Sequence, residues 1–207
     1  MTSPATCLNP SQSQADDNRY WDPKWQLFTI KVSPGDYFVT RENLAITTIL
    51  GSCISACIRD PATGIGGMNH FMLPDGDQQG DHSRPLRYGM FAMEKLINEL
   101  MKLGCQRQDM EIKICGGGDM MGGSTNIGDQ NIDFIQQYLA TDGLPLAASD
   151  LGGNKARRIA YFPATGKLLI RKLDTRGNLG LAQQEQRYRV DVHHQLDASD
   201  AQLFLKD

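Results

Sequence analysis

The chain predicts a single mixed α/β domain of stacked sheet and helix layers, and three observations carry that reading. Short apolar stretches with strand alternation recur along it, two stretches have helical periodicity, and the order is several strands, helix, strand, helix, strand, hairpin. The 207 residues suit one domain with tails, and 40% hydrophobic with 22% charged residues is ordinary for a soluble globule.

The elements follow in order. Residues 1–26 read as an N-terminal extension, disordered or loosely docked, because 1–18 are rich in Ser, Gln, Asn and Asp with little to bury. The rings of Trp21 and Trp25 favour docking of its end. The domain proper spans 27–182. Residues 28–32 alternate as a strand, Ser33-Pro34-Gly35-Asp36 is a turn, and 37–40 make a short strand. Residues 44–50, rich in β-branched side chains, form a buried strand. Apolar runs on either side of Pro61-Ala62-Thr63-Gly64 make a β-hairpin. Residues 75–87 are a polar loop. Residues 88–103 form the clearest helix, with Met90, Met93, Leu96, Ile97, Leu100 and Met101 in a stripe and Gly104 as its stop. A strand at 110–115 runs into the glycine-rich stretch 116–123. A second helix at 129–140 presents Ile132, Ile135 and Leu139, and 144–148 is a strand. Residues 156–162 and 167–173 close a last hairpin around Pro163-Ala164-Thr165-Gly166. Residues 183–207 read as a polar, loosely attached tail.

Composition excludes several classes. A formal charge of −3 implies no nucleic-acid or lipid surface. No basic segment leads into an apolar core at the N-terminus, so no signal peptide is expected. The most apolar stretch, 44–58, is too short and too polar for membrane insertion. Five cysteines, an odd count without a CxxC, are expected as reduced thiols of a cytoplasmic protein. Cys53, Cys57, His70 and His82 lack zinc-finger spacing, so no metal is expected. The 116–123 stretch lacks the order of a phosphate loop, and no cofactor is expected.

The chemistry concentrates on Leu50-Gly51-Ser52-Cys53 and Asn69-His70-Phe71. A hairpin turn centred on Pro61-Ala62 sets Cys53 opposite His70 within two positions, and opposed residues share a face. A thiol beside an imidazole is the minimum for a thiolate nucleophile with its base, held as an ion pair. The competing reading of Cys53 is a buried small hydrophobe. Gly51 lets backbone amides approach a carbonyl, and Ser52 puts its own amide near the nucleophile. Thr47 has the strand parity of Cys53, but six residues of straight strand separate them by about 20 Å, so the chain must bend at Gly51-Ser52 for them to meet. Thr48 would lie on the other face. The glycine loop with Gly117 and Gly118, together with Asn69, Asn126 and Asn131, supplies candidate substrate contacts, each also readable as turn chemistry.

These residues resemble a known family. Leu50-Gly51-Ser52-Cys53, Asp60-Pro61 and Gly66-Gly67-Met68-Asn69-His70-Phe71-Met72-Leu73-Pro74-Asp75 are similar to the chemoreceptor glutamine deamidases, CheD. So are Arg87-Tyr88-Gly89, Gly116-Gly117-Gly118, Asn126-Ile127-Gly128 with Asn131, Asp150-Leu151-Gly152-Gly153-Asn154 and Pro163-Ala164-Thr165-Gly166-Lys167. The resemblance covers about 31–173. It implies a three-layer α/β sandwich and a catalytic set of Cys53, His70 and Thr47. It also implies hydrolysis of a protein glutamine amide to glutamate through a thioester. The implied substrates are methyl-accepting chemotaxis receptors, whose modified glutamines sit on exposed helix faces, and a CheC-type phosphatase is a candidate partner. Two other classes stand beside this one: a different cysteine acyl-transfer enzyme, and a non-catalytic chemotaxis adaptor.

Overall fold

The structure is a computed structural model that describes residues 18–74, 83–120, 127–174, 180, 183, 185, 187, 188 and 190. Expectations for 1–17, for most of the 75–87 loop, for 121–126 and for 191–207 lie outside the described residues. Among the described residues ten strands fall into two five-stranded sheets. The first takes β1 (Arg19–Asp22), β2 (Leu27–Lys31), β4 (Ala45–Leu50), β9 (Arg157–Phe162) and β10 (Lys167–Lys172), in that spatial order. The second has the order β3 (Tyr37–Thr40), β6 (Gly66–Asn69), β5 (Ile54–Arg59), β7 (Glu111–Gly116) and β8 (Leu146–Leu151). β2 with β4 and β7 with β8 pair in parallel; the other neighbours are antiparallel.

Strand periodicity sorts the side chains into two cores. Ile54, Ala56 and Ile58 of β5 point to one face of the second sheet, where helices α1 (Ser83–Lys102) and α2 (Ile127–Thr141) cover them with Met93, Leu96, Ile97, Leu100, Ile135 and Leu139. Cys53 and Cys57 point the other way, into a core shared with Ile30, Ile46, Leu50, Met68, Met72, Ile159 and Tyr161 between the sheets. Sheet, sheet and helices thus make a three-layer α/β sandwich. The α1 stripe is narrower than its sequence suggests: Met90 and Met101 are exposed, while Met93 through Leu100 form the buried edge.

The hairpin carries the site. Its turn is closed by the Asp60 N–H donating to the Ile65 carbonyl, and Cys57 pairs with Met68. An isolated pairing of Ile54 with Phe71 continues the same register. His70 therefore faces Ser55, and Cys53 faces Met72. The two candidate residues are diagonal neighbours on one face, two positions from direct opposition.

The end of the N-terminal extension adds strand β1 to the first sheet. Trp21 opposite Phe28 makes an edge contact at 5.3 Å between ring centroids, and Trp25 makes another on Phe162 at 5.2 Å.

Candidate active site

Cys53 lies where the chain leaves β4 in one sheet and enters β5 in the other. Three residues, Gly51, Ser52 and Cys53, make that crossing, and their carbonyls are fastened from behind. Gly117 N–H donates to Cys53 O at 2.8 Å, Gly118 N–H to Gly51 O at 2.7 Å, and Asn131 Nδ2 to Ser52 O at 2.9 Å. The other end of the Asn131 amide accepts from Leu73 N–H at 2.7 Å, so one fully buried side chain ties the Cys53 loop to the His70 loop. Gly116 must be glycine here: its φ is +126°, and a Cβ would stand 2.0 Å from Cys53 O. Arg157, 1% exposed, clamps the backing loop through Nη1 to Gly116 O at 2.6 Å, Nε to Asp150 Oδ1 at 2.8 Å, and Nη2 to Gly152 O.

With the carbonyls turned back, the three amides point forward onto one carboxylate, that of Glu185. Gly51 N donates to Oε1 at 2.8 Å, Ser52 N to Oε2 at 3.0 Å, and Cys53 N to Oε1 at 3.4 Å. Ser52 Oγ adds a fourth hydrogen bond to Oε2 at 2.8 Å. A cluster of aligned N–H groups is an anion nest, and it is also what a tetrahedral oxyanion needs.

His70 completes the site. Its Nδ1 lies 2.8 Å from Thr48 Oγ1, and Thr48 Oγ1 donates to Val32 O at 2.8 Å. A hydroxyl has one proton to give. Because Val32 O takes it, Thr48 accepts from His70 Nδ1–H, which fixes the tautomer and leaves Nε2 as the free lone pair. Nε2 is buried without a hydrogen-bond partner among the described residues. The Cys53 thiol, a His70 ring nitrogen and a Glu185 oxygen lie within 4.8 Å of one another. Burial drives His70 down to about 4, against the opposing pull of Glu185. Burial first, then the Glu185 charge, pushes the Cys53 thiol well above its usual range. With Glu185 in place both shifts favour the neutral thiol and the neutral imidazole near pH 7, against the expected thiolate–imidazolium pair.

The structure brings Cys53, His70, Ser52 and Gly51 together and leaves Thr47 out. Thr47 points to the outer face of the first sheet, where its Oγ1 donates to Ile30 O at 3.3 Å and it borders an open groove with Tyr20, Lys31 and Arg158. Thr48 takes the place expected for it. Strand parity holds within one sheet and restarts when the chain changes sheet, which it does at Gly51–Cys53. Gly117 and Gly118 are buried behind Cys53, not placed where a substrate could touch them. Asn69 sits on the helix side, its Oδ1 accepting from Ala56 N–H at 2.9 Å and its Nδ2 donating to Ala92 O at 3.2 Å. Asn69, Asn131 and the two glycines hold the site in shape; Asn126 lies outside the described residues. Glu185 is the residue that sequence reasoning missed. It falls in a polar segment with no strand or helix pattern to flag it, yet it is 5% exposed.

A thiol, a buried imidazole with one ring nitrogen unpartnered among the described residues and an N–H nest, set between two sheets, are the groups that cysteine-dependent acyl transfer requires. Comparison with known proteins narrows the class. The family model described as CheD chemotactic sensory transduction matches residues 72–172. A Halorhodospira halophila protein named "Probable chemoreceptor glutamine deamidase CheD" is 46% identical over 90% of this chain and 89% of its own length. Proteins of the same name from Hahella chejuensis and Bordetella avium are 45% and 52% identical, covering 90% and 74% of this chain and 90% and 70% of theirs. The chain belongs to the CheD family. Among solved structures, Bacillus licheniformis YfiH overlaps 56% of this chain and 50% of its own with a TM-score of 0.37 and 13% identity, too slight a likeness to bear on fold or reaction. No helix among the described residues is long and apolar enough to cross a membrane.

Proposed function

We propose that this protein is a glutamine deamidase acting on the cytoplasmic helices of chemoreceptors, with Cys53 as nucleophile, His70 as acid and base, and Thr48 as the group that orients His70. The observation that carries the reading is a His70 ring nitrogen within 4.8 Å of the Cys53 thiol, with Nδ1 already held by Thr48 and Nε2 without a partner among the described residues, and with the amides of Gly51, Ser52 and Cys53 converging on an oxygen anion. The names of the relatives supply the substrate.

The steps follow from the geometry. His70 Nε2 takes the thiol proton as Sγ attacks the carboxamide carbon. The carbonyl oxygen becomes an oxyanion and draws on the amide nest, where hydrogen bonds are already aimed. The imidazolium returns its proton to the amide nitrogen, the C–N bond breaks and ammonia leaves. A thioester is left on Cys53. Water, deprotonated by the same Nε2, attacks it; the thiolate departs and the product is glutamate. The reaction consumes one water and releases one ammonia.

Hydroxylamine tests the thioester. Incubated with chain and receptor fragment, it should divert part of the product to the glutamyl hydroxamate. Glutamate forming at an undiminished rate with no hydroxamate would contradict the covalent route and favour direct attack by water.

A further inference from the structure

We propose that Glu185 is an internal stand-in for the reacting side chain, held as the product of the reaction, and that the segment carrying it shows how a helical substrate is read. This inference rests on the deamidase reading above. It begins with chemistry: hydrolysis of a glutamine amide leaves a glutamate carboxylate, and a glutamate carboxylate lies in the nest, four donors upon it, within 4.8 Å of the thiol and the imidazole. Those donors are N–H and O–H groups, which hold a carboxylate as an anion and account for its place without a cation.

The second observation is the placement of Tyr188. Glu185 and Tyr188 are helical and three residues apart, so both project from one face, while Gln183, Arg187 and Val190 are exposed. Each inward side chain lies on a glycine. A Cβ on Gly51 would come within 2.7 Å of Glu185 Oε2, and a Cβ on Gly35, whose φ is +86°, within 2.9 Å of the Tyr188 ring. Tyr188 Oη is hydrogen-bonded to Tyr88 Oη on α1. The surface is therefore shaped for two side chains of one helix: a glutamine or glutamate reaching down to Cys53, and a large residue three positions later in the crevice between Gly35 and Tyr88. A receptor helix using the same two seats must displace this segment, so the two compete.

The test uses the full chain with Glu185→Gln, alone and combined with Cys53→Ala, followed by peptide mass mapping. In the single variant the residue at 185 should be converted to glutamate, gaining about one mass unit, and in the double variant it should stay glutamine. A second readout needs no turnover: Glu185→Ala should speed iodoacetamide alkylation of Cys53 about ten-fold at pH 7, by opening access, by relieving the burial that chiefly holds the thiol neutral and by removing the neighbouring charge that adds to it. Glutamine persisting at 185 in a variant that still deamidates a receptor fragment would overturn this inference and leave the deamidase reading intact. Faster alkylation of Glu185→Ala, with no conversion of residue 185 or of the fragment, would keep Glu185 as the occupant and sink the deamidase reading. Unchanged alkylation would overturn the inference.

Discussion

Thr47 and Thr48 are adjacent, chemically identical and given opposite work by the fold. Thr48 holds the His70 tautomer; Thr47 bonds the backbone of β2 on the outer face. Replacing Thr48 with valine removes the acceptor of Nδ1–H and frees the ring to present the wrong nitrogen. We expect kcat for deamidation to fall about 10- to 100-fold in Thr48→Val and to stay near wild type in Thr47→Val. The reverse result would restore Thr47 to the catalytic set. His70 also makes stability depend on pH. Its folded pKa, about 4, is depressed below the ordinary 6.5 of an exposed imidazole, so the unfolded chain binds the extra proton first. The stability it contributes is complete above pH 6.5 and is lost as pH falls towards 4, up to about 3 kcal/mol. Urea unfolding across that window should show a flatter pH dependence in His70→Gln than in wild type; parallel curves would contradict the buried neutral imidazole.

The hairpin of β5 and β6 was the most legible element, because Asp60-Pro61 and Thr63-Gly64 are turn chemistry and the side-chain period of a strand then fixes which residues share a face. That was enough to put Cys53 and His70 together. The two helices were equally plain from their apolar periodicity, though α1 starts at Ser83, earlier than its stripe suggests. Pairings between distant strands were not legible. Nothing local says that β4 and β5, joined by three residues, belong to different sheets, and the expectation that Thr47 shares a face with Cys53 follows from that alone. The glycine stretch after β7 reads as substrate contacts or turn chemistry for the same reason: the hydrogen bonds of Gly117 and Gly118 to the backs of Cys53 and Gly51 are long-range. Asn131 on α2 links the layers at this point. Asn131→Ala leaves Ser52 O and Leu73 N–H without their buried partners, a cost of about 2–3 kcal/mol. Urea titration should show that loss together with reduced activity. A variant as stable as wild type would mean that α2 does not brace the Cys53 loop.

At the scale of the molecule, the site is set at the end of the inter-sheet core, with Cys53 at 0% and His70 at 2% exposure. A helix about 10 Å wide cannot enter, but one extended side chain can. The three layers therefore act as a stand that keeps the thiol, the imidazole and the amide nest buried, and on the proposed function recognition of a helix falls to the surface around them. On the proposed function, binding energy from the rest of a receptor helix brings the amide to the thiol. Free glutamine, which has none of it, should be turned over at least about 100-fold less efficiently than a helical receptor fragment. Equal efficiencies would indicate a small-molecule amidase. The family relationship was legible from the motifs, while the place of Glu185 was not, since a polar segment carries no periodic signal of where it packs.

The most direct test of the central claim is mass spectrometry of a receptor cytoplasmic fragment incubated with wild-type chain and with Cys53→Ala. The wild type should convert specific glutamines to glutamate, each gaining about one mass unit, and Cys53→Ala, which removes only the sulfur, should convert none. Glutamate appearing at the same sites with Cys53→Ala would contradict the account.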